Sequence, residues 1–207
     1  MLVLILFSLV CLGIAITFAF LDVWYLSLEG LMYFRYRLAS PKTKVLEESI
    51  RYSWVLPSDL DLMWHMNNGR YAREADFGRY CYMFSCGIVQ TIWNKKHNTM
   101  LTSSSWRFRR ALKLWDRFAI RTRMVCWDDH MFYLEQQFIS CQDGFVCAVA
   151  LVQHRVIGIS PSEVIQILYG RQVESPEIPE DIHYWMKSIQ INREKLKNEI
   201  EKNSKSK

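Results

Sequence analysis

The chain has 207 residues, of which 50% are hydrophobic and 14% aromatic, and a formal charge of +5. This supplies one ordinary domain and an appendage, excludes a disordered or collagen-like chain, and is too short for two comfortable domains. The averages conceal a split. Residues 1–34 carry only two charges, Asp22 and Glu29, whereas all 26 Lys and Arg lie from Arg35 onward with 19 of the 21 acids, a net of +7 there.

Leu2 to Leu21 is free of charge, and a helix of that length spans ~30 Å, about one bilayer core. Apolar character continues through Val23 and Leu26, with Trp24 and Tyr25 where an interfacial belt would sit. Two readings compete, an uncleaved membrane anchor and a cleaved signal that would leave a secreted domain. A signal needs a basic start, a short apolar core and a small-residue cleavage site; Thr17-Phe18-Ala19 meets only the last, weakly. The anchor is the preferred reading. The first cations, Arg35, Arg37, Lys42 and Lys44, follow the run, which places the domain in the cytosol, with the endoplasmic reticulum as the expected membrane. Cys81, Cys86, Cys126, Cys141 and Cys147 are an odd set without disulfide-scaffold spacing, and each reads as a small buried hydrophobe.

Residues 35–46 read as a linker, with Ser40-Pro41-Lys42 at the boundary. Ser49–Leu56 alternates as a strand and ends at Pro57, and 58–68 is a polar loop. The pattern predicts one long helix over Gly69–Cys86, capped by Gly87, with Ala72, Ala75 and Gly78 facing a sheet. After a turn at 94–98 come four strands: Met100–Arg109, Arg117–Trp127, Met131–Ser140 and Phe145–Val156. Asp128-Asp129 and Gln142-Asp143-Gly144 supply the turns between the last three. Ser160-Pro161-Ser162-Glu163 opens a short helix to Tyr169. A last helix begins near Glu180 with Ile182, Trp185, Met186 and Ile189 on one side, and 158–207 reads as a helical extension. The order is α+β, one long helix covering one antiparallel sheet.

Two carboxylates, an imidazole and two amides fall within Asp59-Leu60-Asp61-Leu62-Met63-Trp64-His65-Met66-Asn67-Asn68, directly before the long helix. Oriented N–H groups at a helix start stabilise negative charge, such as the oxyanion of an attacked carbonyl. A carboxylate beside them can serve as nucleophile or as general base for water. Asp and Asn before a helix also serve commonly as caps and turn formers, which leaves a purely structural role open.

With Tyr71 added, this segment resembles the D-x-D-x-x-G-H-V-N-N-x-x-Y motif of hotdog-fold acyl-CoA thioesterases of the 4-hydroxybenzoyl-CoA thioesterase type. The likeness runs in order over 47–157. It includes Arg109 to Asp116 as the family's R-P-L-x-x-G-D, and Arg-Glu-Ala-Asp-Phe (73–77), Phe-Tyr-Leu-Glu (132–135) and Asp-Gly-Phe-Val-Cys-Ala (143–148) resemble one branch of that family more closely. The resemblance implies a hotdog fold, an acyl-CoA or related acyl thioester as ligand, no cofactor and a homodimer with the site at its interface. It assigns Asp61 as the catalytic carboxylate, His65 as the motif histidine and the helix start at Asn68 as the oxyanion donor. Tyr71 would pack the helix start, and Trp64, Tyr71 and Glu74 would contact substrate. Trp64 and Trp115 stand where the family keeps Gly, Ala111 where it keeps Pro, and Met63 where related plant-type enzymes have Asn. A Trp at a position of close backbone approach is expected to reshape the thioester pocket.

Glu74 also reads as half of a surface pair with Arg70. Arg107, Arg109, Arg110 and Lys113, with Trp106 and Phe108 interleaved, form a basic strand face, either solvated or set to meet coenzyme A phosphates. No motif supports nucleic-acid binding, and no Cys or His pair has metal-ligand spacing. The expected function is a membrane-associated acyl-CoA thioesterase of lipid metabolism. The alternative is a catalytically silent acyl-lipid binding or scaffold protein using the same groove.

Overall fold

The computed structural model describes residues 1–37 and 43–205, so the Ser40-Pro41-Lys42 boundary lies outside the described residues. The chain divides into Met1–Lys42 and Thr43–Lys207. In the first unit the apolar run forms α1 (Leu2–Phe20), followed by α2 (Val23–Arg37). The break falls at the first charge: the carboxylate of Asp22 accepts the Tyr25 N–H at 3.1 Å and starts α2 as a cap. Among the described residues no single helix is long and apolar enough to cross a membrane. The pair Val3–Phe18 and Val23–Arg35, bent by 78°, meets that test together by length and composition.

The second unit is built on five antiparallel strands: β1 (Ser49–Trp54), β2 (Asn98–Phe108), β3 (Arg117–Trp127), β4 (Met131–Ser140) and β5 (Val146–Ile157), in the order β1-β3-β4-β5-β2. The hairpins at 128–130 and 141–145 join β3 to β4 and β4 to β5. Strand β2 instead crosses to pair with β5, which leaves β1 and β2 as the edges. Register shifts at Met124/Cys126 and Phe138/Ile139 are bulges, which increase local twist and let the sheet curve.

The long helix α3 (Asn68–Ser85) lies against one face of the sheet. Ala75 and Gly78 meet the sheet, whereas Ala72 is exposed, contrary to expectation. Each three-residue step turns a helix about 60° short of a full circle, so a third member of such a series leaves the face. A Cβ on Gly78 would stand 2.8 Å from the Ile120 side chain and 3.0 Å from Gln136 Nε2. Gln136, fully buried on β4, ties the layers: its amide donates to the Ala75 carbonyl at 2.9 Å, and its oxygen accepts from Arg79 at 2.9 Å. Beneath the start of α3 lies a core of Val55, Met66, Tyr71, Phe118, Ile120 and Phe138.

Gly87 takes the left-handed conformation (φ 80°) expected of a helix cap, but it also begins a short helix the sequence pattern does not reveal, α4 (Ile88–Asn94). Helix α5 (Pro161–Tyr169) starts on a complete capping box, with Ser160 Oγ accepting the Glu163 N–H at 3.2 Å. Helix α6 (Glu180–Lys205) packs Ile182, Trp185 and Met186 on Cys126, Met131 and Tyr133, the outer face of β3 and β4. Met131 to Leu134 are consequently all buried, as a strand covered on both faces must be. Of the domain's cysteines, Cys86, Cys126 and Cys147 are buried, while Cys141 is exposed, because it sits in the β4–β5 turn.

The helix–sheet contact at Gly78 generates a prediction. Gly78→Ala forces α3 off the sheet and should cost about 1–3 kcal/mol, read as a lower denaturation midpoint; unchanged stability would show that the layers can separate freely.

Candidate functional site

The loop before α3 is a miniature hairpin. The Asn67 N–H donates to the Asp59 carbonyl at 2.8 Å, Leu60 bridges Met66, and the Asp61 N–H donates to the His65 carbonyl at 2.9 Å. At its tip Leu62-Met63-Trp64 close a turn in which the Trp64 N–H reaches the Asp61 carbonyl at 3.1 Å. A three-residue hairpin loop of this kind is a type I turn followed by one left-handed residue, ordinarily Gly. Trp64 occupies that place with φ 62°. The family pattern's Gly thus has a conformational reason, and Trp64 keeps the backbone path at an energetic cost, with its side chain 72% exposed. The loop keeps the path a Gly would give.

The same holds 51 residues later. Lys113 to Asp116 is a turn closed by the Asp116 N–H on the Lys113 carbonyl at 3.0 Å, with Trp115 at φ 64° in the place a type II turn gives to Gly. His65 bridges Lys113, the Met66 N–H donates to the Leu112 carbonyl at 2.8 Å, and the Trp115 N–H donates to the Val55 carbonyl at 3.0 Å. The two turns are therefore laced together at one end of the sheet.

Asp61 is held by its own hairpin. Its Oδ1 accepts the Met63 N–H at 2.9 Å and the His65 N–H at 3.2 Å, while no described group donates to Oδ2. Asn67 is the N-cap of α3, its side-chain oxygen accepting the Gly69 N–H at 2.8 Å. Asn68 is the first helical residue, and among the described residues no acceptor takes its N–H. One uncommitted carboxylate oxygen and one uncommitted helix-start donor thus flank the end of one short hairpin. His65 takes part in it through its backbone, by its N–H to Asp61, its carbonyl and its bridge to Lys113.

Tyr71 is buried, and its hydroxyl accepts the Leu112 N–H at 3.1 Å. Its ring meets Phe108 edge-on at 5.2 Å and Phe138 at 5.1 Å. Burial pushes the phenol up to about 12, so it stays neutral. The residue clamps the helix start to the loop after β2. Glu74 is not the surface partner of Arg70 that helical spacing suggests. It is 3% exposed, with Oε2 on Arg51 at 2.7 Å and Oε1 on Arg73 at 3.3 Å.

Sequence reasoning passed over the centre of that network. Arg73 Nη2 donates to Asp59 Oδ1 at 2.6 Å, and Asp59 Oδ2 accepts the Leu56 N–H at 2.9 Å. Asp59 is 1% exposed. The four groups alternate in sign, Asp59, Arg73, Glu74, Arg51, and anchor both ends of the hairpin to the first turns of α3. Removing one member of such a buried pair typically costs about 3–5 kcal/mol, because the other charge stays behind unpaired. The clue in the sequence was an Arg-Glu pair within a helix segment that also carries Ala75, Phe77 and Gly78.

The basic face of β2 is partly neutralised. Arg110 makes two 2.7 Å bonds to Asp143 and, with Arg109, stacks over Phe145, which holds the Asp143 carboxyl well below the usual range. Trp106 and Phe108 stack on each other at 5.7 Å on the helix side of the strand, opposite the arginines as alternation requires. Among the described residues no group of three or more His, Cys, Asp or Glu could hold a metal ion.

The strain at the hairpin tip can be measured. Trp64→Gly removes about 1–2 kcal/mol of left-handed cost and adds about 0.5–1 kcal/mol of chain entropy, so stability should hold or rise by up to ~1.5 kcal/mol. A clear drop in Tm would mean that the indole packs as a structural element.

With this geometry in view, comparison with known proteins places the chain. A model of the Thioesterase-like superfamily matches residues 55–186. Protein THEM6 of Xenopus laevis is 41% identical over 203 residues, covering 97% of this chain and 98% of the relative. Among solved structures, the YbaW probable thioesterase of Escherichia coli superposes with a TM-score of 0.54 at 18% identity, over 60% of this chain and 98% of its own. The hypothetical protein SAV2348 of Staphylococcus aureus, solved in complex with CoA, does so at 0.54 and 15% identity, over 68% of this chain and 95% of its own. These two likenesses establish the hotdog arrangement of helix and sheet. By the superfamily match and the full-length relative together, the chain belongs to the thioesterase-like superfamily.

Proposed function

We propose that the protein is a membrane-associated acyl-CoA thioesterase acting on fatty acyl thioesters in lipid metabolism. The observation that carries this reading is the Asp61 carboxylate, fixed through Oδ1 by two loop N–H groups with Oδ2 uncommitted, a few residues before a helix start with an uncommitted N–H at Asn68. Asp61 takes a proton from water, the resulting hydroxide adds to the thioester carbonyl carbon, and the oxyanion forms against the Asn68 N–H and the positive end of α3. Collapse of that intermediate breaks the C–S bond, releases the coenzyme A thiolate, which takes up the proton, and leaves the carboxylic acid. The CoA complex of SAV2348 supports coenzyme A as the carrier. A cavity of about 230 Å³ lies between the second half of α3, α4 and the start of β2, where Met83, Val89, Trp93 and Leu101 line it beside the polar Asp76, Arg79 and His154.

Membrane association is read from α1 and α2, whose apolar side chains, Val3, Leu4, Phe7, Val10 and Phe18 among them, are exposed. The cations at Arg35 and Arg37, which follow the apolar run, support a cytosolic domain, and the proposed membrane is the endoplasmic reticulum. A homodimer is supported by edge strand β2, 11 residues long, with Met100, Leu101 and Phe108 exposed and one row of backbone groups unpaired by any described strand. The second reading, acyl-lipid binding without turnover, is favoured by one observation: a bulky Trp64 stands at the tip of the Asp61 hairpin, at φ 62°, where the family pattern has Gly.

Turnover by the full chain in detergent, with a panel of acyl-CoA chain lengths, separates the two. Asp61→Asn should lower hydrolysis by about 10²–10⁴-fold while ligand binding survives; the absence of Asp61-dependent turnover on every member would sink the enzyme reading. Sedimentation velocity and protease digestion of sealed microsomes check the assembly and the orientation. A monomer at micromolar concentration would overturn the dimer, and a protected domain would overturn the cytosolic placement.

A further inference from the structure

Helix α6 is longer than the surface it covers. Its apolar stripe runs from Ile182 through Met186 and Ile189, along the stem of Arg193, to Leu196 and Ile200, at steps of three and four that keep to one helix face. Only the first part is used: Ile182 and Met186 pack on β3 and β4, with Trp185 beside them. Leu196 and Ile200, further along the same stripe, are 60% and 70% exposed. The charges next to them follow a pattern that the helix itself does not explain. Lys195 and Lys197 each precede a glutamate, Glu199 and Glu201, by one turn, the less favourable order for pairs within a helix. Acids near a C-terminal end also oppose the helix dipole, and α6 ends at Lys205. Among the described residues none of the four is in an ion pair.

The pattern is explained by a reversed copy of itself. At equal distances on the two sides of Asn198 stand Lys197 and Glu199, Leu196 and Ile200, Lys195 and Glu201. When two such helices pack antiparallel about a two-fold axis at this level, Leu196 of one meets Ile200 of the other, and like flanks face each other. Lys197 and Glu201 lie on one flank of the stripe, Lys195 and Glu199 on the other. Each flank therefore sets Lys against Glu in both directions, at axial offsets of ~3 Å that these side chains span. Parallel packing in register would instead lay the lysine turn on the lysine turn and the glutamate turn on the glutamate turn. We infer that the exposed part of α6, centred on Asn198, is a self-association surface whose partner is the same segment of a second copy, running antiparallel. It depends neither on turnover nor on pairing through edge strand β2. With one short apolar contact at its centre the surface is a weak one, and pairing follows concentration.

The test uses the full chain in detergent over a range of concentrations, with the exposed Cys11 and Cys141 changed to Ser. Leu196→Cys and Ile200→Cys are made as separate chains with tags of different size, mixed, and equilibrated in a glutathione buffer. Antiparallel pairing brings the two substituted positions within disulfide reach and holds each away from its own equivalent. The mixed disulfide should then exceed either same-variant disulfide by about tenfold, where random collision gives about twofold. Adding Lys197→Glu to both chains sets like charges on one flank and should lower the mixed disulfide about tenfold, and adding Glu201→Lys as well should restore it. No excess of the mixed disulfide at any concentration would overturn the proposal, as would an excess of the Leu196→Cys homodimer, which marks parallel pairing. An excess that Lys197→Glu leaves unchanged, or a loss that Glu201→Lys does not recover, would equally overturn it.

Discussion

The pair Asp59–Arg73 is the constraint on which the site depends. A carboxylate 1% exposed must have a cation and further donors, and Asp59 has both, with Arg73 on one oxygen and the Leu56 amide on the other. Its backbone carbonyl meanwhile receives the Asn67 N–H. One residue thus sets where the chain leaves β1, where the hairpin closes and where α3 begins. Without that clamp the hairpin would keep only its backbone bonds to Leu112 and Lys113, and its start would no longer be fixed to the first turns of α3. The neighbouring charges extend the clamp sideways, since Glu74 passes it to Arg51 and hence to strand β1. The arrangement favours geometry over raw stability, as buried ion chains often do little for the latter.

Strands β3 and β4 were legible residue for residue, because alternation and good turn chemistry at Asp128-Asp129 and Asp143-Gly144 agreed. The long helix was legible from its flanks, Asn67 and Gly87. Helix α4 was not, since Ile88-Val89-Gln90-Thr91-Ile92 is rich in β-branched residues and lacks a helix-favouring pattern; its formation follows from tertiary burial of Ile88, Val89 and Ile92. Within the site, Asp61 and Asn68 stood out because their types and spacing suit carbonyl chemistry. The roles of Asp59, Arg73 and Glu74 were hidden, because helical spacing suggests a solvated pair for Glu74 and cannot show that a neighbouring strand brings Arg51 over it.

The two tryptophans at left-handed positions show how a family pattern can be departed from without changing the fold. Each turn retains its hydrogen bonds and its φ above 60°, so the exchange of Gly for Trp alters only what projects from it. Strain of this size is tolerated because the flanking backbone is doubly held: His65 on Lys113, Met66 on Leu112 and Trp115 on Val55. Backbone and side chain answer to different demands here. The hairpin path serves the carboxylate, and the indoles serve whatever lies outside.

Helix α6 limits how copies can gather. Two bare sheets stack face to face at about 10 Å, a spacing that leaves room only for interlocking side chains. Over β3 and β4 that space is already filled by Ile182, Trp185 and Met186 of the same chain. Face-to-face stacking is therefore closed over β3 and β4, and the two edges of the sheet stay available for assembly. A chain so capped is suited to small, closed assemblies rather than to layered ones.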